Sequence, residues 1–229
     1  MSHQFDLEPE FLELYERCRD YTMTSIERMY ALYTATRYVV ENAVPGDFVE
    51  CGVWRGGSVM LIALTLLRLG SADRALWLYD TFDGMTPPSE EDIQETSGSR
   101  ASEILAQREK SADDPFWGVA PRAAVEHNLG ATGYPAVRVR FVEGDVLTTV
   151  PSAAPGQIAL LRLDTDWYAS TRHELEHLYP RVPHGGVLIV DDYGFWRGAR
   201  RATDDYLVSL TRRPLLQRID YTGRLCVKP

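Results

Sequence analysis

Apolar residues in this chain fall into short continuous runs that alternate with longer stretches at helical spacing. Thr24-Ser25-Ile26-Glu27 reads as a capping box, in which the Thr24 oxygen and the Glu27 carboxylate each satisfy a free backbone N–H. It opens a predicted helix to about Glu41, with Met29, Leu32, Tyr33 and Val40 near helical spacing. After the turn at Pro45-Gly46-Asp47, residues 48–51 read as a buried strand, and an apolar helix is expected over 59–69. Further strands are predicted at 75–79, 137–142, 158–163 and 186–190, with helices from Asp164 to about Leu178 and over 197–210. Segments 215–219 and 224–228, around Tyr221-Thr222-Gly223, look like a closing antiparallel hairpin. Strands alternating with helices imply an α/β fold, a doubly wound and mostly parallel sheet with helices on both faces.

One stretch breaks this rhythm. Residues 84–116 contain Pro87-Pro88, the run Glu90-Glu91-Asp92 and Ser97-Gly98-Ser99. The stretch is too polar for core and too long for an ordinary connection, so it reads as a solvated insertion or a mobile lid. A chain of 229 residues suits one domain spanning 1–229, with 1–44 as an N-terminal helical segment or lid.

Composition narrows the partners. A net charge of −9 argues against nucleic acid or an anionic membrane surface, both of which need a basic footprint. No apolar run approaches a membrane span, and the N-terminus is acidic without a signal-peptide core. Cys18, Cys51 and Cys226 are odd in number and scattered, which is neither a disulfide framework nor a thiolate zinc site; the expected compartment is the cytoplasm.

Each predicted strand of the parallel set ends in an acid or glycine, at the sheet edge where open α/β folds bind ligands. The loop Glu50-Cys51-Gly52-Val53-Trp54-Arg55-Gly56-Gly57-Ser58 lacks both the three-glycine dinucleotide fingerprint and the lysine of a P-loop. Its acid suits a cationic ammonium, its glycines admit a close ligand, and the helix start at Ser58 suits a carboxylate. An amino-acid moiety carries both charges, and the methionine of S-adenosylmethionine is the common case. Asp80 would then meet ribose hydroxyls and Asp145 the adenine amino group. Asp164, Asp166, Asp191 and Asp192 leave two strands that lie side by side in such a fold, so their carboxylates can share one ion. An oxygen-only ligand set points to magnesium or calcium, not zinc. Loop and aspartates serve different ligands on this reading, so cofactor binding is expected to be independent of metal.

His173-Glu174-Leu175-Glu176-His177 matches the H-E-x-x-H zinc-protease pattern. No third ligand presents itself, since His184 lies only seven residues on in a turn, and a catalytic zinc needs three. The helix carrying the motif is expected to cover a sheet face.

With these residues in place, the chain resembles the macrocin O-methyltransferase family, sugar methyltransferases of antibiotic tailoring. The likeness runs from Tyr21-Thr22-Met23-Thr24-Ser25-Ile26-Glu27-Arg28 through the glycine loop and Tyr79-Asp80-Thr81-Phe82-Asp83-Gly84-Met85. It resumes at Gly144-Asp145-Val146, Leu163-Asp164-Thr165-Asp166-Trp167-Tyr168-Ala169-Ser170-Thr171 and the stretch 185–193. The resemblance implies a class I (Rossmann-like) methyltransferase fold, magnesium on Asp164, Asp191 and Asp192, Asp166 as general base, a homo-oligomer and a sugar hydroxyl acceptor. The cofactor-binding set under this reading is Thr24, Glu50, Gly52, Gly56, Gly57, Ser58, Asp80 and Asp145. The acceptor would be a small glycosylated metabolite or an activated sugar, alkylated by direct displacement at the sulfonium. Magnesium would acidify the hydroxyl and Asp166 take its proton. The rivals are a magnesium-dependent methyltransferase of catechols or other phenols, a non-catalytic adenosylmethionine-binding protein, and the zinc protease.

Overall fold

In the computed structural model, which describes residues 6–229, five apolar runs become parallel strands. They are β1 (Asp47–Cys51), β2 (Leu76–Asp80), β3 (Val139–Glu143), β4 (Ile158–Leu163) and β5 (Val187–Val190). Two short strands, β6 (Gln217–Arg218) and β7 (Arg224–Val227), extend the sheet antiparallel to β5, giving the order β3-β2-β1-β4-β5-β7-β6. All six residues of β4 are buried, as expected of a central parallel strand covered on both faces.

Pleating sends alternate side chains to two cores. Phe48, Leu76, Leu78, Leu160 and Ile189 pack under α1 (Pro9–Cys18), α2 (Ile26–Glu41) and α3 (Gly57–Arg68). Val49, Cys51, Leu161, Leu163 and Leu188 face the opposite layer, which holds α7 (Tyr168–His177) and α8 (Arg197–Val208). Between β2 and β4 lie α4 (Ala101–Ala106), α5 (Arg122–Gly130) and the single turn α6 (Val146–Thr149). No helix among the described residues is long and apolar enough to cross a membrane.

Several boundaries differ from expectation. Helix α2 starts at Ile26 with Ser25, not Thr24, as its cap: Ser25 Oγ accepts from Arg28 N at 3.2 Å. Thr24 is diverted to a tertiary partner, accepting at Oγ1 from Arg162 Nη2 at 3.0 Å. The polar-looking start hides α1, which begins on Pro9 and buries Phe11, Leu14 and Cys18. The part of the 1–44 segment before Asp6 lies outside the described residues. Helix α5 buries only Val125 and Leu129, too thin a stripe to announce itself. The strand expected from Val137 begins at Val139, because Ala136–Arg138 form a 3-10 turn.

The 84–116 segment is not a loose solvated excursion over its central part. Ala101 and Leu105 pack with Trp167, Trp196 and Ala199 as a third small core. Its backbone clasps the approach to α8, where Glu95 N donates to Phe195 O and Arg197 N to Ile93 O, both at 2.9 Å. Asp92 is wholly buried there, accepting from Ser89 N at 2.7 Å, Ser89 Oγ at 2.8 Å and, at the start of α7, Tyr168 N at 2.7 Å. Gly198 leaves room for this carboxylate, since a Cβ there would stand 2.0 Å from Asp92 Oδ1. Acidic residues look solvated in sequence; here one satisfies backbone donors that would otherwise be buried without partners.

Asp92→Ala removes those acceptors at once and is expected to cost roughly 1–3 kcal/mol. Thermal melting should show the loss, and limited proteolysis should cut within 84–116 sooner than in the wild type. Unchanged melting and cleavage would show that Asp92 anchors nothing.

Candidate active site

The carboxyl ends of β1, β2, β4 and β5 open into one cavity of about 300 Å³. Thr24, Glu50, Gly52, Gly57, Ser58, Asp80, Asp145, Asp164, Asp166, Asp191 and Asp192 all line it. Of the candidate residues only Gly56 stands off the wall. It caps α3 in the left-handed region at φ +90°, and a Cβ there would meet Val125 Cγ1 at 3.1 Å. The other loop glycines make room for protein. A Cβ on Gly52 would lie 1.9 Å from the Asp164 carbonyl oxygen, and one on Gly57 2.7 Å from Tyr21. These contacts pull the loop onto β4 and onto the segment before α2.

Asp80 shapes the same loop. Its Oδ2 accepts from Val53 N at 2.6 Å and Trp54 N at 3.0 Å, and its Oδ1 from Phe82 N at 2.8 Å. These bonds hold Trp54 at φ +48°, a conformation rare for a bulky residue. Asp145 caps α6, accepting at Oδ1 from Leu147 N at 2.9 Å.

Beneath the cavity floor lies a residue the sequence reading passed over. Arg162, register partner of Glu50 across the β1–β4 ladder, is 2% exposed. Its Nη1 donates to Glu50 Oε1 and, at 2.8 Å, to Asp164 Oδ2; its Nη2 donates to Asp191 Oδ1 at 2.5 Å and to Thr24. A second guanidinium, Arg28, donates to Asp191 Oδ2 and, through Nε, to Asp220 Oδ2 at 3.0 Å. The glycine-loop acid and the aspartate cluster therefore share one guanidinium. The signal was present in sequence: an arginine inside the apolar run 158–163 has to find carboxylates.

Burial pushes Glu50 up to about 8 against the opposing pull of Arg162. Its second oxygen, Oε2, is buried with no hydrogen-bond partner among the described residues. Asp164, Asp191 and Asp192 offer oxygens that all lie within 4.8 Å of one another, the spacing of a shared cation. Asp166 stands beside them at φ +64°, donating its backbone N–H to Asp192 Oδ2 at 3.1 Å. The indole Nε1 of Trp196 donates to Asp166 Oδ1 at 2.6 Å. Burial, and after it the charge of Asp164, push Asp166 up to about 7 while the indole pulls it down. Burial raises Asp164 to about 6 and Asp192 well above the ordinary range.

The H-E-x-x-H motif builds no site. His173 Nε2 lies 2.9 Å from the Val150 carbonyl, and Glu174 is wholly buried, accepting from Thr165 Oγ1 at 3.0 and 3.1 Å. Among the described residues, Asp164, Asp191 and Asp192 form the one group of three or more ligands placed to hold a metal.

A doubly wound sheet with this strand order and an antiparallel C-terminal pair is the class I methyltransferase fold. The chain belongs to the macrocin O-methyltransferase (TylF) family, whose pattern matches residues 17–227. It is 34% identical over 204 residues to the Streptomyces olivaceus 8-demethyl-8-(2,3-dimethoxy-alpha-L-rhamnosyl)-tetracenomycin-C 4'-O-methyltransferase, covering 89% of this chain and 74% of that protein. It is 32% identical over 206 residues to the Streptomyces niveus demethyldecarbamoylnovobiocin O-methyltransferase, with coverage of 89% and 74%. The solved O-methyltransferase NovP superposes with a TM-score of 0.78 at 32% identity, covering 91% of this chain and 82% of NovP.

Glu174 supplies a test of the buried layer behind the site. Burial raises its pKa well above the usual carboxylate range, so the folded state holds it protonated where the unfolded chain would ionise it. Its contribution is therefore complete at low pH, below the unfolded pKa, and fades as pH rises toward the folded value. Glu174→Gln keeps the shape of the protonated acid and escapes this loss. The variant should melt close to wild type in mild acid and above it at neutral pH, by up to about a tenfold change in folding equilibrium per pH unit. A variant less stable at neutral pH would mean that the carboxylate form is the one the fold uses.

Proposed function

We propose that this protein transfers the methyl group of S-adenosylmethionine, with magnesium, to a sugar hydroxyl of a glycoside whose aglycone is apolar. The observation that carries this reading is that one cavity joins an unpartnered buried Glu50 oxygen to a three-aspartate set with Asp166 alongside. The Glu50 oxygen matches the ammonium of an amino-acid moiety, and an all-oxygen triad matches a hard divalent ion. The cofactor would bring a methyl on an already activated sulfonium, and the ion would lower the pKa of an adjacent hydroxyl.

This chain's own residues do the rest. Glu50 and the start of α3 hold the two ends of the amino-acid moiety, and Asp80 keeps the loop rigid through two backbone bonds. Asp166 takes the hydroxyl proton, aimed by the Trp196 indole and by its own N–H on Asp192.

The wall chemistry speaks to the acceptor. Seven acids line the cavity, Glu50, Asp80, Asp145, Asp164, Asp166, Asp191 and Asp192, while Arg28 is the lining cation among the described residues and is already paired twice. A sugar nucleotide would bring a diphosphate into that field without a partner. Met23, Trp54, Met85, Phe116, Phe195 and Tyr221 offer instead an apolar wall. A relative named for a rhamnosyl tetracenomycin agrees with a sugar acceptor over a simple phenol.

Mass spectrometry should show the gain of one methyl on a deoxysugar glycoside and none on a nucleoside diphosphate sugar; the reverse would overturn the acceptor assignment. Asp166→Asn should bind cofactor and magnesium almost normally while turnover falls by roughly 10²–10⁴. Asp192→Asn should recover part of its rate as magnesium is raised. If excess magnesium rescues Asp166→Asn and not Asp192→Asn, base and ligand are exchanged.

A further inference from the structure

Arg162 divides one positive charge between two subsites. Through Nη1 it holds Glu50, assigned above to the amino-acid end of the cofactor; through both terminal nitrogens it holds Asp164 and Asp191, assigned to the metal. Burial keeps solvent from relaxing this arrangement, so any change in the charge on one carboxylate is felt by the others. The remaining Glu50 oxygen has no partner among the described residues, and the other Asp191 oxygen belongs to Arg28.

We propose that Arg162 is a positioning residue that sets the two subsites against each other: an ammonium at Glu50 and a divalent cation at the aspartates each weaken the other's binding. The inference rests on the functional reading above. An ammonium on the free Glu50 oxygen neutralises that carboxylate, and the guanidinium then bears more fully on Asp164 and Asp191, the oxygens a metal needs. A divalent cation on those aspartates repels the guanidinium toward Glu50 and satisfies Glu50 from within. Linkage makes the two effects equal. Direct repulsion between the bound cations acts in the same sense, so the part carried by Arg162 is isolated by substituting it.

The experiment is calorimetric titration of magnesium, buffered above the raised Glu50 pKa so that this carboxylate is ionised, into wild type with and without saturating S-adenosylhomocysteine, which keeps the ammonium and lacks the sulfonium charge. The same titration without that ligand is run on Glu50→Gln, Arg162→Met and the double variant, closing a cycle. In wild type, S-adenosylhomocysteine should weaken magnesium binding by about fivefold or more, the usual scale of coupled sites. Glu50→Gln should weaken it several-fold with Arg162 present and clearly less without it, and Arg162→Met alone should bind magnesium more tightly. Unchanged or tighter magnesium binding in the presence of S-adenosylhomocysteine would overturn the proposal. So would a Glu50→Gln effect of the same size in both backgrounds. If S-adenosylhomocysteine does not bind wild type, the cofactor reading fails, and the Glu50→Gln arm, which uses the metal alone, still decides the coupling. Absence of any magnesium binding would sink both. Should Arg162→Met not fold, Arg162→Lys keeps the charge but cannot fork to Glu50 and Asp191 together, and should shrink the Glu50→Gln effect in the same way.

Discussion

A guanidinium buried among three carboxylates is the constraint around which this molecule is organised. Taking such ions out of water costs several kcal/mol each, and that cost is offset only when every charge has a partner in good geometry. Arg162 meets this condition with Glu50 from β1, Asp164 at the end of its own strand and Asp191 just beyond β5. Three adjacent strand ends are thereby held in one register at the edge where the cavity opens. Removing one partner would leave the rest less well compensated, so the register of the ladder and the charge balance of the site are coupled.

The network also joins the start of α2 to the turn between β6 and β7. Arg28, on α2, pairs with Asp191 and with Asp220 in the turn between β6 and β7. Ser25 Oγ, besides capping α2, donates to Asp220 Oδ2 at 2.8 Å, and Thr222 Oγ1 donates to the Asp191 carbonyl. Gly223 allows the approach, because a Cβ there would come within 2.8 Å of the Arg28 side chain. The C-terminal turn thus acts as a clasp over the start of α2, bringing Thr24 and Tyr221 to the same cavity wall.

On the opposite side the 84–116 segment performs the corresponding task. Its Ala101 and Leu105 pack against Trp196, whose indole nitrogen aims the Asp166 carboxylate. Asp92 fixes the start of α7 immediately after the Asp164–Asp166 turn. Orientation of the proposed base is set by packing that lies outside the cavity. A left-handed residue at φ +64° between strand and helix persists because it is held from both sides.

Much of this was legible in the residue order. Apolar runs ending in acid or glycine announced parallel strands, and the acids at 164, 166, 191 and 192 followed from where those strands stop. Periodicity carries such information because burial on one face or both is a local property of each segment. The tertiary structure alone decided which polar groups meet. Thr24 looked like a cap until Arg162 claimed it, and the sequence did not show that Gly52 and Gly57, besides lining the cavity, also make room for Asp164 and Tyr21. Asp92 passed for one more solvated acid. Each of these depends on a partner between about 30 and 140 positions away along the chain, and such pairings are chosen by the desolvation of charges in a shared interior, which no local pattern records.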